Sequence, residues 1–276
     1  MKVEEILKNG IRKLNENNIE DASLKSRILL SNLLNKRKEE LILYYADDID
    51  EKINKDFMGK IERLCNSEPI QYIINKQEFM GLEFYVDENV LIPQPDTEIL
   101  VEEAIKLCGK SVKILDLCTG SGAIAISLAK KLNQYNEIYA SDISKFALEV
   151  AKKNCRKNGV NINFIESDMF ENISNLEFDI IVSNPPYIET RVIESLPNEV
   201  KKEPHIALDG GDDGLRFYRK IAENAKEYLK DNGYLLLEIG YNQKESVEEL
   251  LKKSNYRNIH TKKDFGGNNR VVIAQK

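Results

Sequence analysis

Apolar residues follow a helical period over the first part of the chain. They recur three or four residues apart in two runs, Val3, Ile6, Leu7, Ile11 and Leu14, and then Ile53, Phe57, Ile61 and Leu64. Such spacing puts each run on one face of a helix. A leucine-rich stretch over 22–34 and an apolar-faced segment over 39–44 lie between them. We predict a small helical bundle over 1–76, a kind of domain that most often recognises a substrate or packs against a partner domain.

The period changes towards two after residue 77, around Phe79-Met80-Gly81-Leu82-Glu83-Phe84. Alternating apolar positions with a glycine between them predict a β-hairpin connector over 77–91 that turns near Gly81. The next segment, Ile92-Pro93-Gln94-Pro95-Asp96-Thr97-Glu98, contains two prolines and then Asp, Thr and Glu. This pattern predicts a rigid loop that caps a helix over 99–107.

Strand-like and helix-like segments alternate over the rest of the chain. The predicted strands cover 112–115, 137–140, 162–165, 179–182, 234–239, 258–261 and 270–274, and the predicted helices cover 123–132, 145–157, 217–229 and 244–251. Alternation of this kind predicts an α/β domain over 92–276, with a mostly parallel sheet between two layers of helices. The last two strands are separated by a short loop, so we expect an antiparallel pair at one edge.

Composition excludes several classes of protein. The 276 residues carry a net charge of −6, and the isoelectric point is near 5.3, which argues against non-specific binding of nucleic acid. No apolar run has the length of a membrane span, and residues 1–5 lack the apolar core of a signal peptide. Four cysteines without C-x-x-C spacing and only two histidines make a metal site improbable. We expect a cytoplasmic protein with reduced thiols and no metal.

A glycine-rich turn follows the first strand of the α/β domain, in Asp116-Leu117-Cys118-Thr119-Gly120-Ser121-Gly122. Glycines at such a position let the backbone turn tightly and approach a ligand closely. Gly120 to Ala125 also fits the G-x-G-x-x-G/A dinucleotide fingerprint, with Asp142 at about the distance expected for a ribose-binding carboxylate. The turn by itself leaves a nicotinamide cofactor and S-adenosylmethionine both open.

Three acidic residues favour S-adenosylmethionine. Asp116 and Asp142 each end a predicted strand, and Asp168, next to Met169, follows a third. Because the carboxyl ends of parallel strands share one edge, all three are expected to line the ligand site. Carboxylates suit a ligand with sulfonium, ammonium, hydroxyl and amino groups, whereas they would repel a pyrophosphate.

The tetrapeptide Asn184-Pro185-Pro186-Tyr187 directly follows another predicted strand. The prolines fix their own φ angles, remove two backbone donors and favour extended conformations in the residues before them. Asn184 is therefore held stiffly, with its side-chain oxygen and a neighbouring backbone carbonyl available as acceptors. Paired acceptors suit a planar –NH2 group, so the motif points to methylation of an amide or amino nitrogen.

These motifs, taken in order, resemble those of class I S-adenosylmethionine-dependent methyltransferases. Within them the chain is similar to the PrmC/HemK family, the protein-glutamine methyltransferases that act on peptide chain release factors. The likeness covers nearly the whole chain and includes Glu68-Pro69-Ile70-Gln71-Tyr72, the 92–98 loop, the glycine-rich turn, Asn184-Pro185-Pro186-Tyr187, the 203–215 segment, and Asp264 to Val272. It implies a Rossmann-like sheet of seven strands behind an N-terminal helical domain.

The resemblance also implies roles for individual residues. Asp116, Cys118, Thr119, Gly120, Ser121, Gly122, Asp142, Asp168, Met169 and Asn184 are expected to bind S-adenosylmethionine. Asn184, Pro185, Pro186 and Tyr187 are expected to bind the substrate glutamine, with Asn184, Pro185 and Tyr187 active in methyl transfer. Tyr187 would pack against the flat amide or close the pocket. No metal and no dedicated general base are expected.

Two residues depart from the family pattern. Cys118 occupies the place of a glycine, and we expect cofactor binding to survive because Cys is small and the position need not demand a positive φ. Gln94 replaces a common arginine, which removes a charge near the expected active site.

The implied activity is methyl transfer to the glutamine of the Gly-Gly-Gln motif in bacterial release factors. The alternatives are a ribosomal-protein glutamine methyltransferase, a methyltransferase for exocyclic amino groups of nucleic acid, a nicotinamide-dependent oxidoreductase and a non-catalytic binding module. The net negative charge of the chain argues against nucleic acid as a partner, since methylation of a base in a duplex requires that the base be flipped out and that a basic tract bind the nucleic acid. The 203–215 segment is expected either to cover the substrate amide or to form a surface loop.

Overall fold

A computed structural model of the protein describes residues 1–133 and 135–276. It divides into two compact units. The first contains Met1–Asn75 together with Pro197–Lys202, and the second contains Lys76–Leu196 and Glu203–Lys276. The short segment of the first unit that comes from the middle of the chain has no counterpart in the sequence prediction, which treated 92–276 as continuous. Lys25 and Glu199 form an ion pair of 2.9 Å within this unit.

The first unit is helical, as predicted. Its elements are α1 (Val3–Glu16), α2 (Ala22–Leu34), a 3-10 helix (Leu41–Tyr44), α3 (Glu51–Cys65) and α4 (Ile70–Ile74). The apolar faces of α1 and α3 are buried, and the fully buried Phe57 belongs to one apolar cluster that contains residues from each of these helices. The predicted amphipathic runs therefore form the core of the bundle.

The second unit begins with a β-hairpin. Strand β1 (Gln77–Phe79) pairs antiparallel with β2 (Leu82–Phe84). Met80 and Gly81 between them both have positive φ, 53° and 73°, as in the two-residue turns that match the twist of hairpin strands. The hairpin and its turn at Gly81 are therefore present as predicted.

A seven-stranded sheet forms the centre of the second unit. Its strands are β3 (Lys113–Leu117), β4 (Glu137–Asp142), β5 (Asn163–Glu166), β6 (Phe178–Ser183), β7 (Leu229–Glu238), β8 (Arg257–Lys263) and β9 (Asn269–Gln275). The spatial order is β5-β4-β3-β6-β7-β9-β8, and all neighbours are parallel except those of β9. The strand order reverses between β3 and β6, and ligands of open α/β sheets bind at such switch points.

Helices cover both faces of this sheet. The helices of the second unit are a 3-10 helix (Pro95–Thr97), α5 (Glu98–Leu107), α6 (Ala123–Lys131), α7 (Lys145–Asn158), α8 (Thr190–Ile193), α9 (His205–Leu208), α10 (Arg216–Tyr228) and α11 (Lys244–Lys253). A further 3-10 helix, Val200–Lys202, belongs to the first unit. Alternate strand residues enter different cores: Ile114 packs in one apolar cluster and Leu115 in the other. The strands are thus buried on both faces, which explains their continuous apolar runs.

The predicted cap of the helix after the proline loop is wrong in detail. Helix α5 starts at Glu98, and Thr97 before it has helical angles (φ −68°, ψ −18°) with no capping hydrogen bond from its side chain. The reason is that the 3-10 turn Pro95–Thr97 runs directly into α5. The Thr97 side chain is free for another role, and Glu98 Oε1 accepts a hydrogen bond from the Met80 amide at 2.6 Å.

Gly122 provides a test of how closely the glycine-rich turn packs on α7. Its φ is +80°, and an added Cβ would lie 3.1 Å from Ala151 Cβ and 3.0 Å from Ile126 Cδ1. Gly159 is a matched control, because its φ is +63° and nothing lies within 4 Å of the added atom. We expect Gly159→Ala to lower the free energy of unfolding by about 1–2 kcal/mol, from backbone strain alone. Gly122→Ala should lower the free energy of unfolding by about 1–3 kcal/mol more than Gly159→Ala does, because the added methyl group overpacks the contact with α7.

Urea denaturation followed by circular dichroism measures both changes. Equal losses for the two variants would mean that α7 moves aside easily and that the packing of the turn is loose.

Candidate active site

A cavity of about 370 Å³ opens at the carboxyl edge of the sheet in the second unit. This volume is in the range of small-molecule sites. The residues that line it come from the proline loop, the glycine-rich turn, the ends of β4, β5 and β6, and the starts of α9 and α10. They include Gln94, Thr97, Cys118, Thr119, Gly120, Ser121, Asp142, Asp168, Met169, Asn184, Pro186, Pro204, Ile206, Phe217 and Lys220. Most of the residues predicted to bind the cofactor are therefore brought together here.

The glycine-rich turn is held by hydrogen bonds from two of its backbone amides to residues of strand β4. Thr119 N donates to the Ser141 carbonyl at 2.9 Å, and Gly120 N donates to Asp142 Oδ2 at 2.9 Å. Gly120 has a φ of +54°, a conformation that glycine adopts without steric cost. The turn thereby presents residues 118–121 to the cavity in a fixed arrangement.

Asp116 does not line the cavity, contrary to the prediction. Its side chain is fully buried, and its Oδ2 accepts hydrogen bonds from Thr119 Oγ1 at 2.6 Å and Ala125 N at 3.1 Å. Burial raises the pKa of this carboxyl to about 7, although both hydrogen bonds oppose the shift. Asp116 joins the turn to the start of α6, so its role is to hold the turn in shape. Gly122 is likewise absent from the lining and packs under α7.

Cys118 corrects the expectation that its position need not have a positive φ. Its φ is +64°, a region that costs a non-glycine residue about 1–2 kcal/mol. The Cys118 Sγ lies 4.0 Å from Met169 Sδ at the cavity wall. Burial raises the pKa of the Cys118 thiol well above its usual range, so the thiol stays protonated and acts as a small apolar group.

Asp142, Asp168 and Met169 all line the cavity, as predicted. Asp142 accepts from Gly120 N and, through Oδ1, from Ser144 N at 2.8 Å, and burial raises its pKa. Asp168 forms an ion pair of 3.7 Å with Lys220. Met169 has a φ of +51°, and its carbonyl accepts from Ser167 Oγ at 2.9 Å. These contacts fix both carboxylates at the edge of the cavity.

The tetrapeptide after β6 divides into two pairs. Asn184 and Pro186 line the cavity, whereas Pro185 and Tyr187 do not. Asn184 is half-buried, and its Nδ2 donates to Thr97 Oγ1 at 3.4 Å. In the described part of the chain no hydrogen bond reaches Asn184 Oδ1 or the Pro185 carbonyl, and of these two residues only Asn184 lines the cavity. That the two acceptors bind a substrate amide stays a prediction.

Tyr187 is placed differently from the prediction. Its hydroxyl faces the buried Glu238 and the Arg270 guanidinium, and burial beside the negative Glu238 raises the pKa of Tyr187 well above its usual range. Its backbone carbonyl accepts from Gln243 Nε2 at 2.9 Å. The ring belongs to the core behind the motif, so this tyrosine supports the site and does not line it.

The 203–215 segment covers part of the cavity. Pro204, Ile206 and Ala207 line it. Buried Glu203 Oε2 accepts from the Ile92 amide at 2.8 Å, and Gly210 N donates to the Ile188 carbonyl at 2.8 Å. The segment is therefore attached to the proline loop and to the residue after the tetrapeptide, and it is not an idle surface loop.

Sequence reasoning missed several lining residues. Thr97 belongs to the proline loop and was interpreted as a cap, and Phe217 and Lys220 lie on an ordinary amphipathic helix. Gln94, expected near the active site, does line the cavity. Glu238, a charged residue at the end of the apolar run Leu235-Leu236-Leu237, gave a signal that could have been used. Buried carboxyl groups in strands are rare unless they are paired.

Comparison with known proteins gives matches over most of the chain. A family model described as the PrmC N-terminal domain matches residues 5–74, one described as the methyltransferase small domain matches 94–201, and one described as Eco57I restriction-modification methylase matches 154–269. The release factor glutamine methyltransferase of Clostridium acetobutylicum is 41% identical over 99% of this chain and 98% of its own. The corresponding protein of Geobacter sulfurreducens is 38% identical over 94% and 91%.

Solved structures show the same fold. A methyltransferase from Pyrococcus furiosus superposes with a TM-score of 0.56 at 20% identity, over 79% of this chain and 97% of its own. A 16S rRNA N2 G1207 methyltransferase from Thermus thermophilus, in complex with AdoMet and guanosine, gives 0.52 at 21% identity, over 73% and 49%.

The sheet order and the cavity at its switch point define a class I S-adenosylmethionine-dependent methyltransferase. The sequence identity to the relatives, which extends over nearly the whole chain, identifies the family within this class. The chain belongs to the release factor glutamine methyltransferase family.

The residues of the cavity fit S-adenosylmethionine. Asp142 and Asp168 would supply acceptors for its hydroxyl and ammonium groups, while Ile124, Ala147 and Met169 would provide apolar walls. No group of three or more His, Cys, Asp or Glu side chains in 1–133 and 135–276 is arranged to hold a metal ion. Within the same residues, no helix has the length and apolar character to cross a membrane.

The left-handed conformation of Cys118 generates a stability prediction. Glycine relieves the strain but loses the packing of the thiol. The free energy of unfolding of Cys118→Gly should therefore lie within about 1 kcal/mol of the wild-type value. This variant should bind S-adenosylmethionine with a Kd within about 3-fold of the wild type, a change below 1 kcal/mol. The free energy of unfolding of Cys118→Val should be lower than that of the wild type by about 2 kcal/mol or more, because a β-branched residue tolerates positive φ poorly. Thermal unfolding and calorimetric titration of the three proteins test this; equal stability of the Gly and Val variants would contradict it.

Proposed function

We propose that the protein transfers a methyl group from S-adenosylmethionine to the side-chain amide nitrogen of the glutamine in the Gly-Gly-Gln motif of bacterial peptide chain release factors. The observation that carries the proposal is the placement of Asn184 at the cavity wall. Its amide nitrogen is bound to Thr97, and its oxygen remains available. The names of the relatives that match over nearly the whole chain support the same substrate.

The chemistry follows from what an amide nitrogen needs. Its lone pair is delocalised into the carbonyl, so it is a weak nucleophile and must be held accurately. Asn184 Oδ1 and the Pro185 carbonyl would accept the two N–H groups of the glutamine and turn one face of the nitrogen towards the cavity. Orientation of this kind can supply about 7–11 kcal/mol of barrier reduction. The bound cofactor supplies an activated methyl group on its sulfonium.

No side chain at the cavity needs to act as a general base. Its carboxylates are already engaged: Asp142 with two backbone amides, and Asp168 with Lys220. The second proton of the amide becomes acidic once the nitrogen is methylated, and it can leave to solvent after transfer. Catalysis then rests on orientation and on exclusion of water by the 203–215 segment.

The helical unit is proposed to recognise the release factor. Residues 5–74 match the PrmC N-terminal domain, and we assign 1–76 to substrate recognition, 77–91 to the connector and 92–276 to catalysis. This division is a functional one. We propose that the activity takes place in the cytoplasm, where release factors act.

A second candidate is methylation of an exocyclic amino group in nucleic acid. The match of 154–269 to the Eco57I restriction-modification methylase family favours it, because the tetrapeptide suits any planar –NH2 group. The net charge of −6 opposes it. Methylation of a ribosomal-protein glutamine is the third reading of the same chemistry.

Replacing Asn184 tests both the mechanism and the substrate. Asn184→Ala should fold and bind S-adenosylmethionine normally, while methylation of release factor should fall at least ~100-fold, because the amide is no longer oriented. Asn163→Ala is a matched control: its Nδ2 also donates one hydrogen bond of 3.4 Å, on strand β5 away from the tetrapeptide.

The assay uses labelled S-adenosylmethionine with unmethylated release factor, ribosomal protein and undermodified DNA or RNA in parallel, and mass mapping of the product. Label on nucleic acid or ribosomal protein instead of the Gly-Gly-Gln glutamine would refute the proposed substrate. Full activity of Asn184→Ala would remove this side chain from the mechanism.

A further inference from the structure

Glu238 is a buried carboxyl group that the mechanism above does not use. It ends strand β7, and its side chain is 2% exposed. Its Oε2 has no hydrogen-bond partner among the residues that the structure describes. A buried acid that is not fully paired is costly to the fold.

The position of Glu238 follows from the sheet. Ser183 and Leu237 are partners in the parallel pairing of β6 with β7, so the next residues, Asn184 and Glu238, leave the sheet side by side. Neither Glu238 nor the groups around it enter the cavity lining, except for Thr97. Glu238 is therefore behind the site and cannot touch the substrate directly.

The groups that face Glu238 come from four elements. The hydroxyls of Thr97 and Tyr187, the Arg270 guanidinium and the Asp96 carboxylate all influence its ionisation, and the Tyr218 hydroxyl donates to its backbone carbonyl at 2.8 Å. Arg270 also binds Asp96 at 2.9 Å and Asp264 at 3.0 Å. Because Asp96 directly precedes Thr97, this ion pair holds the backbone of Thr97 in place.

Thr97 connects Glu238 to Asn184. Its Oγ1 accepts from Asn184 Nδ2 at 3.4 Å, and its hydroxyl is close enough to the Glu238 carboxyl group to lower the pKa of that group. The Thr97 side chain is 5% exposed. A hydroxyl has one proton to donate. When that proton points to a carboxylate, only lone pairs remain for the Asn184 amide.

We propose that Thr97, backed by Glu238, is a positioning residue that fixes which end of the Asn184 side-chain amide faces the substrate. Ionised Glu238 accepts the Thr97 proton, Thr97 accepts from Asn184 Nδ2, and Asn184 Oδ1 is left to receive an N–H of the substrate. The inference deepens the proposed function and rests on it for the identity of the substrate amide.

The protonation state of Glu238 decides the direction of the hydrogen bonds that link Glu238, Thr97 and Asn184. An ionised carboxylate only accepts, whereas a protonated one can donate to Thr97. Thr97 could then donate to Asn184 Oδ1 and turn the amide nitrogen towards the substrate, where it would repel an N–H. Burial raises the pKa of Glu238 to about 7, against the opposing effects of Thr97 and Arg270. Activity should therefore fall as the pH drops through the neutral range.

The kinetic test compares three variants. Thr97→Val keeps the shape of the side chain without its hydroxyl, and kcat should fall ~10–100-fold, with KM for release factor and Kd for S-adenosylmethionine changed less than ~3-fold. Thr97→Ser should keep kcat within ~3-fold of the wild type.

The side-chain amide of Glu238→Gln can donate as well as accept, so this variant should lower kcat at pH 8 and remove the inflection near pH 7 in the plot of kcat against pH. Thr261→Val is the matched control, since it deletes a Thr-to-Glu hydrogen bond of 2.7 Å on β8.

A second readout needs no substrate. In protein labelled with [15N]asparagine, the side-chain –NH2 resonance of Asn184, assigned by its loss in Asn184→Asp, should shift with an inflection near neutral pH. The inflection should be absent in Glu238→Gln and Thr97→Val and present in Thr261→Val. If Thr97→Val does not fold, the wild type and Glu238→Gln decide the question.

Wild-type kcat in Thr97→Val, or a pH-independent Asn184 resonance in the wild type, would overturn the proposal. A wild type that leaves release factor unmethylated would refute the proposed function instead, and the Asn184 resonance would still decide the role of Thr97.

Discussion

The parallel pairing of β3 with β6 is the constraint on which the active site depends. Leu117 and Ser183 are partners in this pairing, and the Ser183 hydroxyl donates to the Leu117 carbonyl at 2.6 Å. The chain leaves β3 at Cys118 of the glycine-rich turn, one residue after Leu117, and the tetrapeptide begins one residue after Ser183. Two segments that are more than sixty residues apart in sequence therefore leave the sheet side by side. A cofactor bound by one would thereby lie next to an amide bound by the other.

Much of this arrangement could be predicted from the sequence, because it follows from local patterns. Strand and helix periods gave the sheet and the helical bundle, and the positions of Asp142, Asp168 and Asn184 after strands placed them at one edge. The β-hairpin followed from Gly81. These features depend on residues near each other in the chain and on a general rule for parallel sheets.

The errors arose where tertiary contacts decide the role of a residue. Asp116 lies one residue before the end of β3, and Asp142 ends β4, but α6 closes over Asp116, and only the fold shows that its carboxyl group points inward. Tyr187 turns into the core because Glu238 and Arg270, from distant strands, offer its hydroxyl a polar environment. Thr97 has the sequence of a cap, yet the proline loop enters the helix through a 3-10 turn. The positive φ of Cys118 is likewise imposed by the turn around it.

The buried carboxyl groups beside the active site lower the stability of the fold at neutral pH. Burial raises the pKa of Asp116, Glu203 and Glu238 to about 7 in each case. The folded protein therefore binds more protons than the unfolded chain between about pH 4 and pH 7, and the contribution of these groups to the free energy of unfolding falls as the pH rises through this window. At neutral pH they are a burden to the fold.

Each buried acid nevertheless faces a segment that forms the site. Asp116 holds Thr119 of the glycine-rich turn, Glu203 holds Ile92 of the proline loop, and Glu238 faces Thr97 beside Asn184. An apolar residue at any of these positions would remove the cost of burial but also the acceptor that orients its partner. The three carboxyl groups thus exchange stability for a fixed position of the three segments that surround the reacting atoms.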